Sequence, residues 1–148
     1  MERPASNPKY PRPLPEPPVL MGFAEAPAHF MMEEAIAGGL PRDALRRVAE
    51  AITDDAAEAN RLMHAVVPKS SLNRRATLTP SQGEQTERLA RLFSLAVKVF
   101  GDTGDARDFM RRPHPELTGR RPVDAALTEL GGRAVERILN ALAYGLPV

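Results

Sequence analysis

The most constraining feature of this chain is an apolar stripe at helical spacing that begins behind a helix-capping signal. Thr79 is a good N-cap residue, Pro80 fits the first helical position, and Gln82 stands where a capping box places its glutamine. Apolar residues then recur every three or four positions, at Leu89, Leu92, Phe93, Ala96, Val97 and Phe100. The pattern predicts a helix of about 20 residues, roughly 30 Å long, that Gly101 ends.

Further stripes of the same period predict more helices on both sides of this one. From about residue 29 onward, no segment shows the two-residue alternation of a half-buried strand. The predicted apolar faces are Leu45, Val48, Ala49 and Ile52 behind Pro41, then Ala59, Leu62, Met63 and Val66 behind the N-cap Asp55, and finally Val135, Ile138, Leu139 and Leu142 before Gly145. Shorter helices are expected over 70–75, behind Asp102 and behind Pro122. The sequence therefore predicts an all-α fold.

Charged pairs at helical spacing are expected on the solvent side of the long helix. Glu84 precedes Arg88 by four residues, and Glu87 precedes Arg91 by the same interval. Glutamate four residues before arginine is the favourable order for such a pair. We expect the side chains of both pairs to be exposed to solvent.

The first 28 residues differ in composition from the rest of the chain. Seven of the chain's 15 prolines lie within residues 1–18. Proline lacks the backbone donor that helices and sheets need, so the segment is predicted to be an extended tail outside the core. The alternative is that the tail packs on this molecule or on a partner, through Tyr10, Val19, Leu20 and Phe23.

Composition excludes several classes of protein. A length of 148 residues is enough for one hydrophobic core, and 20 basic against 19 acidic residues leave no strong overall attraction to nucleic acid or to an anionic membrane. The absence of cysteine excludes disulfides and thiol catalysis. No run of about 18 apolar residues predicts a membrane span. We expect a soluble, non-secreted, cytoplasmic protein with no membrane partner.

No pattern in the sequence predicts catalysis. His29, His64 and His114 lie far apart without ligand-spaced partners, so no metal site is expected. The motifs of nucleophilic hydrolases, phosphate loops and dinucleotide-binding folds are absent. Adjacent carboxylates such as Asp54 and Asp55 diverge on a helix instead of sharing a site. We therefore expect no catalytic residue, no cofactor and no enzymatic activity.

Two basic segments are candidates for binding. No acidic residue lies between Glu58 and Glu84, and the candidate DNA-binding residues within that stretch are Lys69, Ser70, Ser71, Asn73, Arg74 and Arg75. They have the size and polarity of the second helix of a helix-turn-helix, although a solvated surface is the alternative.

The second segment is the turn from Pro113 to Gly119, which the pairs Arg111-Arg112 and Arg120-Arg121 flank. The turn can bring both pairs to one surface that faces an acidic partner, and scattered surface arginines are the alternative.

The last third of the chain resembles the toxin-binding domain of the Xre/MbcA/ParS antitoxins. The residues that carry the resemblance, in order, are Phe100, Gly101, Asp102, Phe109, Pro113, Leu117, Gly119, Pro122, Gly131, Tyr144 and Gly145. Phe109 stands where tryptophan is common in the family, which keeps an aromatic residue in the core. A weaker resemblance to the family's helix-turn-helix-like region covers residues 72–75, Leu78 and Arg88-Leu89.

Composition predicts a proline-rich extended tail over 1–28, which is not part of the family pattern. The resemblance implies a helix-turn-helix-like region over 29–78 and a helical toxin-binding domain over 79–148. It further implies an antitoxin that neutralises a RES-domain toxin, an enzyme that breaks down NAD or transfers ADP-ribose, by blocking its active-site entrance. The expected toxin-binding residues are Arg111, Arg112, Arg120, Arg121, Tyr144, Gly145, Leu146, Pro147 and Val148, with the terminal carboxylate in the space meant for NAD. Repression of its own operon through operator DNA and homo-oligomerisation within the complex are also implied. The alternative is a DNA-binding regulator without a toxin partner.

Overall fold

The described part of the chain consists of helices and their connections. The computed structural model describes residues 16–23, 29–69 and 77–145. The helices are α1 (Pro17–Leu20), α2 (His29–Gly38), α3 (Arg42–Ile52), α4 (Ala56–Val66), α5 (Pro80–Phe100), α6 (Thr103–Arg111), α7 (Pro122–Ala125) and α8 (Glu129–Ala143), with a 3₁₀ turn at Pro115–Leu117. Within those ranges the β-type pairing is limited to one isolated bridge between Pro41 and Thr77. The all-α prediction is confirmed.

Helix α5 is the central element of the fold. Its 21 residues begin with the predicted capping box, in which Thr79 and Gln82 each accept a hydrogen bond from the other's backbone. Helices α1, α2, α3, α6 and α8 all pack against it. Its C-cap, Gly101, has a φ of 70°, a left-handed conformation in which glycine is favoured because it lacks a Cβ. The predicted start and end of this helix are confirmed.

One hydrophobic core continues across the described part of the chain. It includes Leu45 and Leu62 from α3 and α4, Leu89 from α5, and Met110 and Ile138 from α6 and α8. Residues of the predicted ranges 29–78 and 79–148 therefore pack on one another. That these ranges act as separate functional regions stays a prediction.

Local capping signals were sufficient to predict most helix boundaries. Asp55 accepts hydrogen bonds from the backbone amides of Ala57 and Glu58, and Asp102 accepts one from Asp105. Pro122 opens α7 as predicted. Pro41 is the residue immediately before α3 and not its first residue. The helix predicted over 70–75 lies outside the described residues.

The segment before α2 departs from the prediction of an extended tail. Residues Pro17–Leu20 form one helical turn, because two prolines can occupy the first positions of a helix at no cost in hydrogen bonds. Met21 directly behind it is 3% exposed, and Leu20 and Phe23 pack against the core. The extended conformation is thus wrong for residues 17–20, and packing through Leu20 and Phe23 is confirmed. Tyr10 lies outside the described residues.

The last turn of α8 extends beyond the core. Val135, Ile138 and Leu139 are buried as predicted, but Leu142 is 38% exposed. All four residues from 142 to 145 are exposed, so the helix continues past its packing partners. The prediction that Leu142 belongs to the core face is wrong for this reason, since helical periodicity identifies a face but not how far the neighbouring helices cover it.

Candidate protein-binding surface

The connection between α7 and α8 is a closely packed elbow. Thr128 caps α8 by accepting a hydrogen bond from the backbone amide of Gly131 at 3.0 Å. A Cβ on Gly131 would lie 1.8 Å from the carbonyl oxygen of Ala125, and a Cβ on Gly132 would lie 2.5 Å from Cδ of Arg88. Only glycines allow the first turn of α8 to approach α7 and α5 this closely. The direction of α8 is set by this contact.

Arg88 on α5 stabilises the elbow from the other side. Its guanidinium donates to the carbonyl of Ala126 at 3.2 Å and pairs with Glu129 at 3.2 Å, and the residue is 8% exposed. Gln85, one turn earlier, donates to the carbonyl of Leu127. The predicted solvent-side pair of Arg88 with Glu84 is therefore wrong, because Arg88 has a better acceptor in the buried carbonyl. The predicted pair of Glu87 with Arg91 is confirmed at 3.3 Å.

We expect Arg88→Ala to destabilise the fold by about 2 kcal/mol, because it removes a buried side chain and leaves a carbonyl without its donor. Urea unfolding followed by circular dichroism measures this loss. The matched control is Glu129→Gln, which disturbs only the half of the interaction that faces solvent and should change stability little. Equal losses in the two variants would contradict the account.

The stability difference between Glu129→Gln and the parent chain depends on pH. The hydrogen bond from Arg133, and then the charge of Arg88, lower the pKa of Glu129 below its ordinary value of 4.5. A carboxyl whose pKa is lower in the folded chain contributes its stabilisation fully above the ordinary value and loses it as the pH falls through the lowered pKa. The small difference between Glu129→Gln and the parent chain should therefore disappear in acid.

The exposed end of α8 carries part of the predicted binding site. Tyr144 is 80% exposed. Gly145 follows as the residue beyond the cap with a φ of 67°, as predicted, and so turns the chain out of the helix. Leu146, Pro147 and Val148 lie outside the described residues. The structure thus places an exposed aromatic residue at the last described turn before the predicted blocking segment.

The four predicted arginines divide into an inner and an outer pair. Arg111 lies 3.6 Å from Asp54, and Arg121 lies 3.2 Å from Glu58 and 2.8 Å from Asp124. Both inner arginines line one cleft between α4 and the segment that contains α6 and α7. Arg111 from the first predicted pair and Arg121 from the second therefore lie at the same surface, but both contact carboxylates of this chain.

The inner arginines are engaged, whereas the outer ones face solvent. The hydrogen bonds that Arg121 donates to Asp124 and Glu58 raise its pKa above its already high ordinary value, so its charge is permanent. The side chain of Arg112 is 77% exposed with Asp108 at 3.7 Å, and Arg120 is exposed with only a long bond to the carbonyl of Leu117 at 3.4 Å. Arg112 and Arg120 are consequently the members that a partner can reach without breaking a close ion pair.

The cleft beside the inner arginines does not suit a small molecule. Its floor is formed by Ile52, Leu62 and Val123, and its volume is about 70 Å³, well below the roughly 300 Å³ or more of typical small-molecule sites. Arg107, which sequence patterns did not single out, donates to the carbonyl of Ala51 at 2.9 Å on the same side of the fold. These contacts fasten α6 and α7 to the α3–α4 connection.

Comparison with known proteins decides what kind of surface this is. Residues 95–145 match the family described as the antitoxin Xre/MbcA/ParS C-terminal toxin-binding domain. The chain is also 25% identical over 126 residues to Antitoxin Xre of Pseudomonas putida strain KT2440, an alignment that covers 85% of this chain and 79% of that relative. These matches support an Xre/MbcA/ParS-type antitoxin, with residues 95–145 similar to the family's toxin-binding domain.

The segment that matches the toxin-binding domain comprises the end of α5 and everything after it to Gly145. It contains the elbow, the exposed end of α8 and all four predicted arginines. Phe109, the family's aromatic position, is half-buried, with its ring centroid 5.4 Å from that of Phe100 and 6.2 Å from that of His114. The resemblance predicts an aromatic residue in the core at this position, and Phe109 packs against the core but is only partly buried.

The predicted DNA-binding residues fall mostly outside the part of the chain that the structure describes. Lys69 is exposed just beyond α4. Ser70, Ser71, Asn73, Arg74 and Arg75 lie outside the described residues. Helices α3 and α4 pack against each other before them, and DNA binding stays a prediction.

In the described ranges, no three His, Asp or Glu side chains are grouped closely enough to hold a metal ion. In the same ranges, no helix combines the length and the apolar composition that crossing a membrane requires.

Proposed function

We propose that this chain is a cytoplasmic antitoxin of a type II toxin-antitoxin system, and that it neutralises a RES-domain toxin that consumes NAD or transfers ADP-ribose. It acts by binding, without catalysis of its own. The match of residues 95–145 to the toxin-binding domain carries the proposal. The exposed end of α8 lies within that match.

The proposed mechanism is steric blocking by the C-terminal end of α8. The elbow fixes the helix direction through contacts at Gly131 and Gly132, and the last turn stands clear of the core with Tyr144 80% exposed. A helix that is already rigid loses little conformational entropy when it docks. Pro147 restricts the segment beyond Gly145 further. We propose that residues 145–148 occupy the entrance that NAD would use.

The outer arginines support the same orientation. Arg112 and Arg120 are exposed near one turn, and arginine forms strong bidentate contacts with carboxylates. An acidic patch near the toxin's active-site entrance would meet them as the end of α8 enters. We propose that they steer association.

Co-purification with the neighbouring gene product tests the proposed function. We expect the reading frame beside the gene for this chain to encode a RES-domain protein. The two proteins are expressed together, with an affinity tag on the RES-domain protein only. We expect the antitoxin to elute with the tagged protein at a fixed ratio in buffer of moderate salt. A neighbouring RES-domain protein that elutes alone, with the folded antitoxin in the flow-through, would contradict the proposal.

Repression of its own operon is a second proposed role, and a regulator without a toxin partner is the alternative. The acid-free stretch between Glu58 and Glu84 with its basic residues favours contact with phosphates. Affinity for operator DNA should fall steeply with salt, and reversing the charges of Arg74 and Arg75 should abolish it. We also propose that the antitoxin forms a homo-oligomer within the complex.

A further inference from the structure

The outward face of α8 carries large apolar side chains that the fold leaves in solvent. Leu130 is 78% exposed and Tyr144 is 80% exposed, at opposite ends of the helix. Ala134 and Ala141 are half-buried between them. Positions 130, 134, 137, 141 and 144 follow the i, i+4, i+7, i+11 and i+14 spacing of a single helical face. The stripe is about 21 Å long at 1.5 Å per residue.

The opposite side of the helix holds this stripe rigid. Val135, Ile138 and Leu139 are buried in the core, and Gly131 packs against the Ala125 carbonyl. The exposed stripe is therefore not needed for folding. An ordered helix with two exposed anchors suits recognition in which a helix lies in a groove of its partner.

The charge of Arg137 on this face indicates which kind of partner surface would be complementary. Glu129 is paired with both Arg88 and Arg133, and Glu136 is paired with Arg91. Within the described residues no carboxylate lies within ion-pair distance of Arg137, which is exposed midway between the two anchors. One positive charge thus remains in the middle of an apolar stripe. A complementary surface is apolar and carries a carboxylate opposite that charge.

We infer that the face of α8 from Leu130 to Tyr144 docks in an apolar groove of the cognate toxin, with a toxin carboxylate opposite Arg137. The inference rests on the proposed function and extends the toxin contact from the end of α8 along its length. Leu130 is the anchor farthest from the blocking segment. Leu130 contributes to the affinity for the toxin, whereas the segment after Tyr144 blocks the active-site entrance.

Affinity measurements on the full chain test this docking face. Leu130→Asp is compared with Phe30→Asp, and both positions are the second residue of a helix, where an acidic side chain favours the helix. Phe30 is likewise exposed, at 63%. Biolayer interferometry against the RES-domain protein encoded beside this gene should show binding at least about tenfold weaker for Leu130→Asp. Phe30→Asp should match the parent chain, and both variants should melt like it.

The outcomes separate this inference from the proposed function. A parent chain that does not bind the RES-domain protein contradicts the proposed function, and the docking face with it. A parent chain that binds, with Leu130→Asp equally tight or with both variants equally weakened, overturns the docking face alone. Unchanged toxin affinity together with a loss of self-association by Leu130→Asp in light scattering also overturns it, in favour of a second copy on this stripe.

Association kinetics test the charge. Arg137→Glu should slow association several-fold and reduce its dependence on salt, since a charge near an interface acts mainly on the encounter rate. Arg46→Glu makes the same charge change at an exposed position on α3 and should leave the rate unchanged. Equal effects of the two variants would contradict a carboxylate opposite Arg137.

Discussion

Gly131→Ala is expected to destabilise the fold by about 3 kcal/mol, near the upper end of the cost of overpacking. The added Cβ would lie 1.8 Å from the carbonyl oxygen of Ala125 and 2.7 Å from its carbon. The obstacle is backbone, so relief requires α7 and α8 to separate. The melting temperature should fall by about 10 °C in a chain of this size.

The matched control is Gly38→Ala at the end of α2. A Cβ there would meet no other atom within 4 Å. Because alanine is a better helix former than glycine, this variant should be as stable as the parent chain or more stable by up to about 1 kcal/mol. A Gly131→Ala chain that melts like Gly38→Ala would show that the elbow is not closely packed in solution.

Deleting Gly145–Val148 is expected to abolish protection of cells from the toxin while leaving the fold intact. Gly145 is exposed, and its backbone amide donates to the carbonyl of Leu142 at 3.2 Å. Its removal should therefore change the stability by no more than about 0.5 kcal/mol. Growth of cells that express the toxin with each antitoxin variant measures protection, and thermal melting of the purified variant measures the fold.

A variant of unchanged length separates blocking by bulk from recognition by side chains. Replacing Leu146-Pro147-Val148 with Gly-Ser-Gly keeps three residues but restores flexibility and removes the apolar side chains. We expect partial protection from this chain, between that of the parent and that of the deletion. Full protection by the deleted chain would contradict blocking by the C-terminal segment.

Local signals in the sequence predicted the helices well because their causes are local. A capping box or an Asp N-cap satisfies backbone donors within three residues, and these were found at Thr79, Asp55 and Asp102. Proline-rich composition predicted the wrong conformation for residues 17–20, because two prolines suit a helix start as well as an extended chain. Met21 could not be recognised as a core residue from a segment of that composition.

Long-range contacts were beyond these signals. Arg88 matches an i,i+4 pair with Glu84, yet its partners are 38 and 41 residues away. The arginine pairs were predicted to share a surface, but Asp54, which pairs with Arg111, and Glu58, one of the two carboxylates that pair with Arg121, belong to the distant α3–α4 segment. Gly131 is part of the family resemblance, and only the approach of the Ala125 carbonyl explains why that position excludes a side chain.

The sequence contains one indication of the exposed face of α8, which a pattern of core residues does not include. Leu130 does not fit the buried stripe of Val135, Ile138 and Leu139, and an apolar residue off the core face of an amphipathic helix marks a candidate contact. Tyr144 was identified through the family pattern. Their spacing alone places Leu130 and Tyr144 on the same face of α8. Their exposure depends on how far the other helices cover α8.

The rate of NAD consumption by the purified RES-domain protein, measured as this chain is added, tests the central claim most directly. The account predicts that activity falls in proportion to the added chain and is abolished when the complex is saturated. A chain without residues 145–148 should bind through α8 and leave NAD consumption largely intact. A saturated complex of the complete chain that still consumes NAD at the rate of the free toxin would contradict the account.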